Sequence, residues 1–358
     1  MKHQPLFTAM VHTFNRPELL KLSVESLQRQ TYSNLEIILI NNGAIPEIVE
    51  YINDIASLDN RVKLLHFQEN QYSVKDPLKY VHVCWNAALA ESTGEYVWVQ
   101  QDDDILADDY AEKMVALFQG DPECTTAAGL PVSIGIDGRV NEVINNEVNL
   151  RSRYSDGREI AWDYLLGSQR LFSAPGTIFT IKRDVLIEAG GYHRAIEDSQ
   201  IYGIVPFGTT GFDPTALFYW RHHDGQHNRQ LTRTGDIGID NALALLNDWQ
   251  LEQRWRVFGA DIAREVVRSY KRKVNNGAAR WFVINLYAFR LRPAFRIMQK
   301  AGTCEHFWIS ALAHALNPRF FVKPIAPVIK PSLKALFRIV PGLAKLTPEL
   351  SAKADRWI

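Results

Sequence analysis

Three consecutive carboxylates, Asp102, Asp103 and Asp104, directly follow the strand-like segment that opens with the apolar run at residues 96–99. The run predicts a buried strand, and side chains at the carboxyl end of such a strand face the crevice in which open α/β sheets bind ligands. Adjacent carboxylates repel one another unless a cation lies among them, and Mg²⁺ and Mn²⁺ prefer oxygen ligands. The triplet therefore predicts a divalent-metal site. The alternative is a solvated loop before a helix, with Asp108 and Asp109 favouring the helix dipole.

A second group of metal-capable side chains lies at residues 221–227, where His222, His223 and His227 stand close to Asp224. Neutral imidazole is a common metal ligand, so this segment is a candidate for completing a metal site. A polar loop with neutral histidines explains the same residues, and the sequence leaves both interpretations open.

The order of the predicted elements indicates how these groups are positioned. Strands are predicted at residues 6–11, 35–40, 62–67 and 96–99. Helices are predicted from about Pro17, where Leu20, Val24 and Leu27 have helical spacing, and at residues 46–56 and 79–90. Asn15 and Glu18 form a capping-box pattern around Pro17, which suits a first helical turn. This alternation predicts a parallel sheet with helical crossovers.

Further elements follow the carboxylates. The sequence predicts a helix at residues 109–118, a hairpin at residues 134–140, a strand at residues 177–181, a helix at residues 183–189 and a strand at residues 216–220. Residues 145–157 are polar and without a clear period, which predicts a loop. This loop either covers an acceptor site or is a plain surface excursion.

Composition excludes several classes of protein. The chain has 358 residues, 46% of them hydrophobic, which is ordinary for a globular protein. Its three cysteines are far apart and odd in number, which argues against a disulfide framework and a zinc site and favours a reducing compartment. No signal-peptide pattern and no apolar run of membrane-spanning length are found. These features predict a cytoplasmic protein.

The zero net charge hides an asymmetry between the two parts of the chain. Residues 236–358 contain 20 Lys and Arg against 9 Asp and Glu, and residues 1–235 contain 20 against 31. Residues 236–358 therefore carry a net charge of +11, and residues 1–235 carry −11. This asymmetry predicts an anionic surface as the partner of residues 236–358. Nucleic acid is not predicted, because aromatic residues are not interleaved with the basic ones.

Helices are predicted at residues 237–258, 262–274 and 278–300, followed by a basic amphipathic tail at residues 317–358 that ends near Trp357. Apolar and cationic side chains on short amphipathic pieces suit the surface of an anionic membrane. A helical subdomain packed on the rest of the protein, or a homodimer contact, explains the tail equally well.

Several motifs, in order, resemble those of family 2 glycosyltransferases, which have the GT-A fold. They are TFNRPELL at residues 13–20, SLQRQTY at 26–32, LEIILINNG at 35–43, NAALA at 86–90, GEYV at 94–97, the three carboxylates, and GGY at 190–192 ahead of Glu197 and Asp198. The resemblance covers roughly residues 5–230. It implies an α/β fold with a GT-A-type, mixed but mostly parallel sheet flanked by helices, and a C-terminal helical extension.

The resemblance also implies three regions. Residues 1–235 form the catalytic domain, in which residues 1–105 are the nucleotide-sugar half and residues 106–235 the acceptor half. Residues 236–316 are the helical extension, and residues 317–358 are the tail.

Nucleotide-binding roles are carried over from the family by position. Thr13, Asn15 and Arg16 lie in the loop near the nucleotide, and Asn41 stands where the family usually has an Asp that reads the base. Asn offers both a donor and an acceptor there, which puts the usual base preference in doubt. Gln100 takes the place of the first acid of the family's Asp-x-Asp pattern and is expected to bond a ribose hydroxyl.

Catalytic and metal-binding roles follow in the same way. Asp102 stands at the second acid of the pattern and is the principal metal ligand, supported by Asp104 or Asp103. His223, with His222 as second choice, is the expected histidine ligand, and Arg221 is expected to contact a phosphate. Asp198 is the expected general base, because a sugar hydroxyl is a poor nucleophile until a carboxylate takes its proton.

The sequence thus predicts an inverting, hexosyltransferase-type enzyme that uses Mn²⁺ or Mg²⁺. It is expected to move a sugar from a nucleoside diphosphate sugar to a hydroxyl of a glycan or lipid-linked acceptor in surface polysaccharide synthesis. The expected location is cytoplasmic, with peripheral contact at the inner face of the cell membrane. A nucleotidyltransferase and a non-catalytic glycan- or partner-binding module remain as alternatives.

Overall fold

The computed structural model describes residues 4–72, 79–143, 152–166, 179–192, 203–223, 259–303 and 306–316. The chain divides into two compact units, one comprising Met1–Gln226 with Ala244–Ser269 and the other His227–Leu243 with Tyr270–Ile358. The predicted helix at residues 237–258 and the predicted tail lie outside the described residues. The three predicted regions stay predictions.

The N-terminal part of the sheet is built from parallel strands that alternate with helices. The strands are β1 (Phe7–Thr13), β2 (Leu35–Asn42), β3 (Val62–Phe67) and β4 (Tyr96–Gln101). The helices are α1 (Pro17–Gln28), α2 (Pro46–Leu58) and α3 (Asn86–Glu91), the last preceded by a π-helical turn, Val81–Trp85. The strands lie in the order β3-β2-β1-β4, and each pair is parallel. The predicted succession of strands and helices is therefore confirmed.

Helix α1 shows how local sequence shapes this part of the fold. Its apolar residues Leu20, Val24 and Leu27 are fully buried, as their helical spacing predicts. The capping box predicted at Asn15 and Glu18 is wrong. The N-cap residue is Arg16, directly before the helix begins at Pro17, and it makes no side-chain cap hydrogen bond.

The rest of the sheet is mixed. Its elements are β5 (Ile105–Leu106), α4 (Tyr110–Gly120), β6 (Cys124–Ile134), β7 (Val140–Val143), β8 (Tyr154–Asp156), α5 (Gly157–Leu166), β9 (Phe179–Lys182), α6 (Arg183–Glu188) and β10 (Thr209–Arg221). Strand β9 lies antiparallel between β4 and β6, and the order continues through β10 to β5. The mixed, mostly parallel sheet flanked by helices confirms the predicted GT-A-type fold.

Two elements in this part of the structure differ from what the sequence indicates. The sequence does not predict most of strand β6, because Gly129 and Pro131 interrupt its pattern. Pro131 is tolerated where β6 changes partners, since β9 pairs with residues up to Ala128 and β7 pairs from Val132 onward. The loop predicted at residues 145–157 contains strand β8, which pairs with β10.

The C-terminal helices are α7 (Ala260–Tyr287), α8 (Leu291–Ala301) and α9 (Phe307–Ala315). The predicted break after residue 274 is wrong, because α7 continues through Asn275 and Gly277. The chain turns instead at Phe289, whose φ is 56°, just before Pro293 in the first turn of α8. These helices share a core, made of Ala278, Ala279, Val283, Ile297, Ala301, Phe307 and Ala311. None of the helices in the described ranges has the length and apolar character needed to span a bilayer.

Candidate active site

Parallel pairing of β1 with β4 brings two separate motifs together. The register places His12 beside Gln101, so Thr13 and Asp102 are the next residues at the carboxyl ends of adjacent strands. The Thr13 hydroxyl donates a hydrogen bond to Asp102 Oδ2 at 3.1 Å. The TFNRPELL motif and the carboxylate triplet therefore form one site.

Arg16 supplies a cation to this site. Its Nη1 lies 3.0 Å from Asp102 Oδ1 and 2.7 Å from Asp103 Oδ2, so one guanidinium bridges two carboxylates. The side chains of Asp102 and Asp103 are only 8% and 7% exposed, and that of Arg16 is 20% exposed. Charge-assisted hydrogen bonds of this kind are strong in a shielded environment. Asp102 and Asp103 thus share one positive charge, that of Arg16.

Burial makes Asp102 unusual among carboxylates. Removal from solvent raises the pKa of Asp102 to about 6, and the charge of neighbouring Asp103 acts in the same direction. Arg16 opposes this rise, as does the hydrogen bond from Thr13. A buried carboxyl group that has a raised pKa and a specific charged partner is typical of functional sites.

His223 contacts Asp103 from a different strand of the sheet. It follows strand β10, and its Nε2 lies 3.0 Å from Asp103 Oδ2. Next to it, the backbone N–H of His222 donates to the carbonyl of Ile134, and the ring of His222 lies 4.1 Å from that of Trp220. His223 thus contacts Asp103, one of the three adjacent carboxylates.

Asp103 is the acid that contacts both Arg16 and His223. The sequence predicts Asp102 as the principal metal ligand, with Asp104 or Asp103 in support and His223 as the histidine ligand, and these roles stay predictions. Asp104 is almost fully buried, and its Oδ1 accepts the backbone N–H of Arg221 at 2.9 Å. Three adjacent acids gave no signal that would separate these roles. Among the described residues, no three His, Cys, Asp or Glu side chains are arranged to hold a metal ion.

Arg221 is buried and does not extend toward a phosphate. Its Nε donates to the carbonyl of Asp103 at 2.9 Å, and its Nη1 donates to the carbonyls of Gly135 and Ile136, each at 3.0 Å. The phosphate contact predicted for Arg221 is corrected accordingly. The guanidinium fixes the carboxylate loop to the hairpin at residues 134–140.

Gln100 is fully buried beneath the site. Its Nε2 donates to Ser23 Oγ at 2.6 Å and to the carbonyl of Asp104 at 2.9 Å. The ribose contact predicted for Gln100 therefore does not fit this placement, since its amide group ties helix α1 to the carboxylate loop. The same hydrogen bonds hold Asp104 in its inward position.

Asn41 lies at the end of β2 and is nearly buried. Its Oδ1 accepts the backbone N–H of Ala44 at 2.7 Å, and its Nδ2 lies 3.0 Å from His66 Nδ1. Both polar atoms thus shape the loop after β2, and the base-reading role stays a prediction. Asn15 is exposed in the loop after β1, so it is accessible to a ligand. Asp198, the predicted base, lies outside the described residues.

Comparison with known proteins matches part of the chain to one family. Residues 8–181 match the family described as Glycosyl transferase family 2. One relative, named an uncharacterized glycosyltransferase of Haemophilus influenzae, is 30% identical over 125 residues, which are 35% of this chain and 36% of the relative. The chain spans about a third of the length of the curated relatives that it matches. The resemblance to family 2 is confirmed.

Solved structures show the same fold over most of the chain. The mannosyltransferase PcManGT from Pyrobaculum calidifontis, in complex with GDP-Man and Mn²⁺, is 15% identical with a TM-score of 0.50, over 94% of this chain and 88% of that one. S. aureus TarS 1-349 in complex with UDP-GlcNAc is 13% identical with a TM-score of 0.51, over 86% and 91%. At these identities the likeness concerns the fold.

Proposed function

From the match to glycosyl transferase family 2, we propose that this protein transfers a hexosyl group from a nucleoside diphosphate sugar to a hydroxyl of a glycan or lipid-linked acceptor. One observation carries the proposal. Arg16, Asp102 and Asp103 meet at the carboxyl ends of β1 and β4, inside the segment that matches the family, and His223 contacts Asp103 from the end of β10. A sheet of this type binds its ligands at that edge.

The donor atoms of this site have the chemistry that a divalent cation, Mn²⁺ or Mg²⁺, requires, and the described side chains would have to rearrange to hold it. Asp102 and Asp103 offer oxygen ligands and His223 offers a nitrogen, a set that suits Mn²⁺. The Arg16 guanidinium already lies between the two carboxylates, so the space between them accepts positive charge. When bound, the metal would supply Lewis-acid stabilisation of the diphosphate that leaves. A neighbour of the same fold was solved with GDP-Man and Mn²⁺.

The chain's own residues have distinct roles in this proposal. Thr13 and Arg16 orient the carboxylates through hydrogen bonds. Gln100 and Arg221 hold the loop rigid from below and from the side. Asp198 is proposed to take the proton of the acceptor hydroxyl, so that the acceptor attacks from the face opposite the diphosphate. A single displacement of this kind inverts the anomeric carbon.

The proposal is tested first by nucleotide binding. The melting temperature is measured with UDP, dTDP and GDP, each with Mn²⁺, Mg²⁺ or EDTA. A ligand at a hundredfold excess over its Kd stabilises the folded state by about 2.7 kcal/mol. We expect stabilisation by one nucleotide that requires the metal and is lost in Asp102→Asn. Asp59→Asn, which removes a surface carboxylate paired with Arg61, is the matched control and keeps the response.

Product analysis separates the alternatives. Release of a nucleoside diphosphate from a nucleotide sugar supports glycosyl transfer, whereas release of pyrophosphate would identify a nucleotidyltransferase. The absence of any nucleotide response would favour a non-catalytic binding module, since Asn41 and Gln100 both use their polar atoms to hold the protein together. The role in surface polysaccharide synthesis and the cytoplasmic location belong to the same proposal.

A further inference from the structure

Two motifs of the sequence, NAALA at residues 86–90 and GGY at residues 190–192, contact each other directly in the structure. The backbone N–H of Tyr192 donates to Asn86 Oδ1 at 2.8 Å, and Asn86 Nδ2 donates to the carbonyl of Tyr192 at 2.7 Å. One side-chain amide therefore holds both backbone polar groups of a residue that is 106 positions away in sequence. We call these two hydrogen bonds the Asn86 clamp.

The chemistry of Asn suits this contact. A side-chain amide offers a donor and an acceptor side by side, which matches the carbonyl and the N–H of one backbone residue. The other N–H of Asn86 Nδ2 donates to the carbonyl of His82 at 2.8 Å, in the π-helical turn that precedes α3. Both N–H groups of the amide are therefore used, and the bond to His82 fixes the direction of the side chain.

The residues next to the clamp are matched to it. Gly191 has a φ of 76°, which favours glycine, and a Cβ atom at this position would lie 2.5 Å from Asn86 Oδ1. Tyr192 is only 4% exposed, and its ring meets the ring of Trp85 edge-on, with the ring centroids 5.3 Å apart. Trp85 and Asn86, adjacent in sequence, thus hold the side chain and the backbone of Tyr192 respectively.

Tyr192 is the last described residue before Asp198, the proposed general base, which follows it by six positions and lies outside the described residues. Each residue between a fixed point of the chain and Asp198 adds two rotatable backbone dihedrals. The point at which the chain is held therefore limits where the base can lie. A displacement of about 1 Å in a reacting group can cost about 100-fold in rate, so such an anchor matters for catalysis.

We propose that Asn86 is a positioning residue for glycosyl transfer: by holding the backbone of Tyr192, it sets the starting point of the segment that carries Asp198. The proposal rests on the proposed function, in which Asp198 takes the proton of the acceptor hydroxyl. Asn86 acts on the reaction through that segment. Helix α3 thereby links the region predicted to bind the nucleotide sugar to the region predicted to bind the acceptor.

Hydrogen exchange tests the anchoring without sugar transfer. Peptides that cover residues 193–198 are followed by mass spectrometry in the full chain. We expect exchange there to be about tenfold faster in Asn86→Ala and in Gly191→Ala than in the wild type, because each variant breaks the clamp from one side. Thr126→Val, which removes a buried hydrogen bond of 2.8 Å to Thr210 in the same compact unit, is the control and should leave these peptides unchanged. Equal exchange in Asn86→Ala and the wild type would overturn the proposal.

Kinetics test the effect on the reaction. Release of nucleoside diphosphate from UDP-glucose, dTDP-glucose and GDP-mannose is measured with water as the acceptor, because water must lose a proton to the same base. We expect Asn86→Ala to lower kcat about 100-fold, with the KM for the nucleotide sugar and the nucleotide-dependent stabilisation unchanged. Thr126→Val should keep the kcat of the wild type.

The other outcomes separate the two proposals. A raised KM with unchanged kcat in Asn86→Ala would overturn the positioning role and assign Asn86 to nucleotide binding. A wild type that releases no nucleoside diphosphate from any of the three sugars would refute the proposed function, and with it the part of Asn86 in transfer. The exchange measurement would still decide whether Asn86 anchors the segment after Tyr192.

Discussion

Replacing Arg16 with Gln tests the idea that this residue is an internal cation for the acids. In the wild type, Arg16 Nη1 lies 3.0 Å from Asp102 and 2.7 Å from Asp103, whose side chains are 8% and 7% exposed. Removing one partner of a buried ion pair costs about 3–5 kcal/mol. Arg16 itself is 20% exposed, so we take the lower end, about 3 kcal/mol at pH 8. The melting temperature should fall by about 6–10 °C.

The expected loss depends on pH and on metal. Burial raises the pKa of Asp102 to about 6 even with Arg16 present, so at pH 5 this carboxyl is largely neutral and the loss should be smaller. Mn²⁺ at a hundredfold excess over its Kd should restore about 2.7 kcal/mol to the Arg16→Gln variant. The wild type should gain less from Mn²⁺ without nucleotide, because the metal must first displace the guanidinium.

A second ion pair provides the control. Arg61 holds Asp59 through two hydrogen bonds, at 2.9 and 2.8 Å, on the surface near the end of α2. Arg61→Gln should lower the melting temperature and should respond to Mn²⁺ no more than the wild type does. The reasoning fails if Arg16→Gln melts like the wild type at pH 8, or if Mn²⁺ stabilises both variants equally. The melting temperatures are read by scanning fluorimetry with EDTA or Mn²⁺.

Three further predictions follow from the same structure. Gln100→Asp should lower the free energy of unfolding by about 3 kcal/mol, because a carboxylate cannot donate to the carbonyl of Asp104. It should not raise the affinity for Mn²⁺. Urea unfolding measures the first effect and metal titration the second. Burial and the charge of Arg16 lower the pKa of His12 to about 3. Only the unfolded state then gains a proton at His12 below pH 6.5, so the free energy of unfolding should fall as the pH drops from 6.5 toward 3. The fall should be smaller in His12→Phe. Urea unfolding at pH 7 and 4.5 measures the difference. Asp198→Asn should abolish sugar transfer while nucleotide-dependent stabilisation persists, whereas loss of both would assign Asp198 a structural role.

The N-terminal half of the fold could be predicted because its strands and helices are each defined by local pattern. The run at residues 35–40 lies in a strand that is buried along its length, as continuous apolar runs in parallel sheets are. The pattern fails where packing overrides local preference. Helix α7 continues through Gly277 because neighbouring Ala278 and Ala279 are buried in the helical core.

The site was predictable at the level of motifs and not at the level of atoms. The motifs that contain Thr13 and Asp102 could be identified from sequence, whereas the contact between these two residues follows from the pairing of β1 with β4 in the structure. The choice between Asp103 and Asp104 depends on which side of the loop each side chain takes. That choice follows from the hydrogen bond between Asp104 and the backbone of Arg221, more than one hundred residues away in sequence. No local pattern reports such a contact.

Gln100 stands where the resembling family usually has an acid, and its amide supports the loop that carries Asp102 and Asp103. An Asp at this position would add a fourth buried carboxylate next to Asp102, Asp103 and Asp104, of which the first two share one Arg16 guanidinium. The amide is neutral, and it can donate to Ser23 and to the carbonyl of Asp104. Those bonds stabilise the loop that presents Asp102 and Asp103 together. The two carboxylates that share Arg16 are adjacent in the sequence, and the loop that presents them depends on the amide of Gln100. Replacing Gln100 with the acid that the family usually has there would therefore remove a support of this loop.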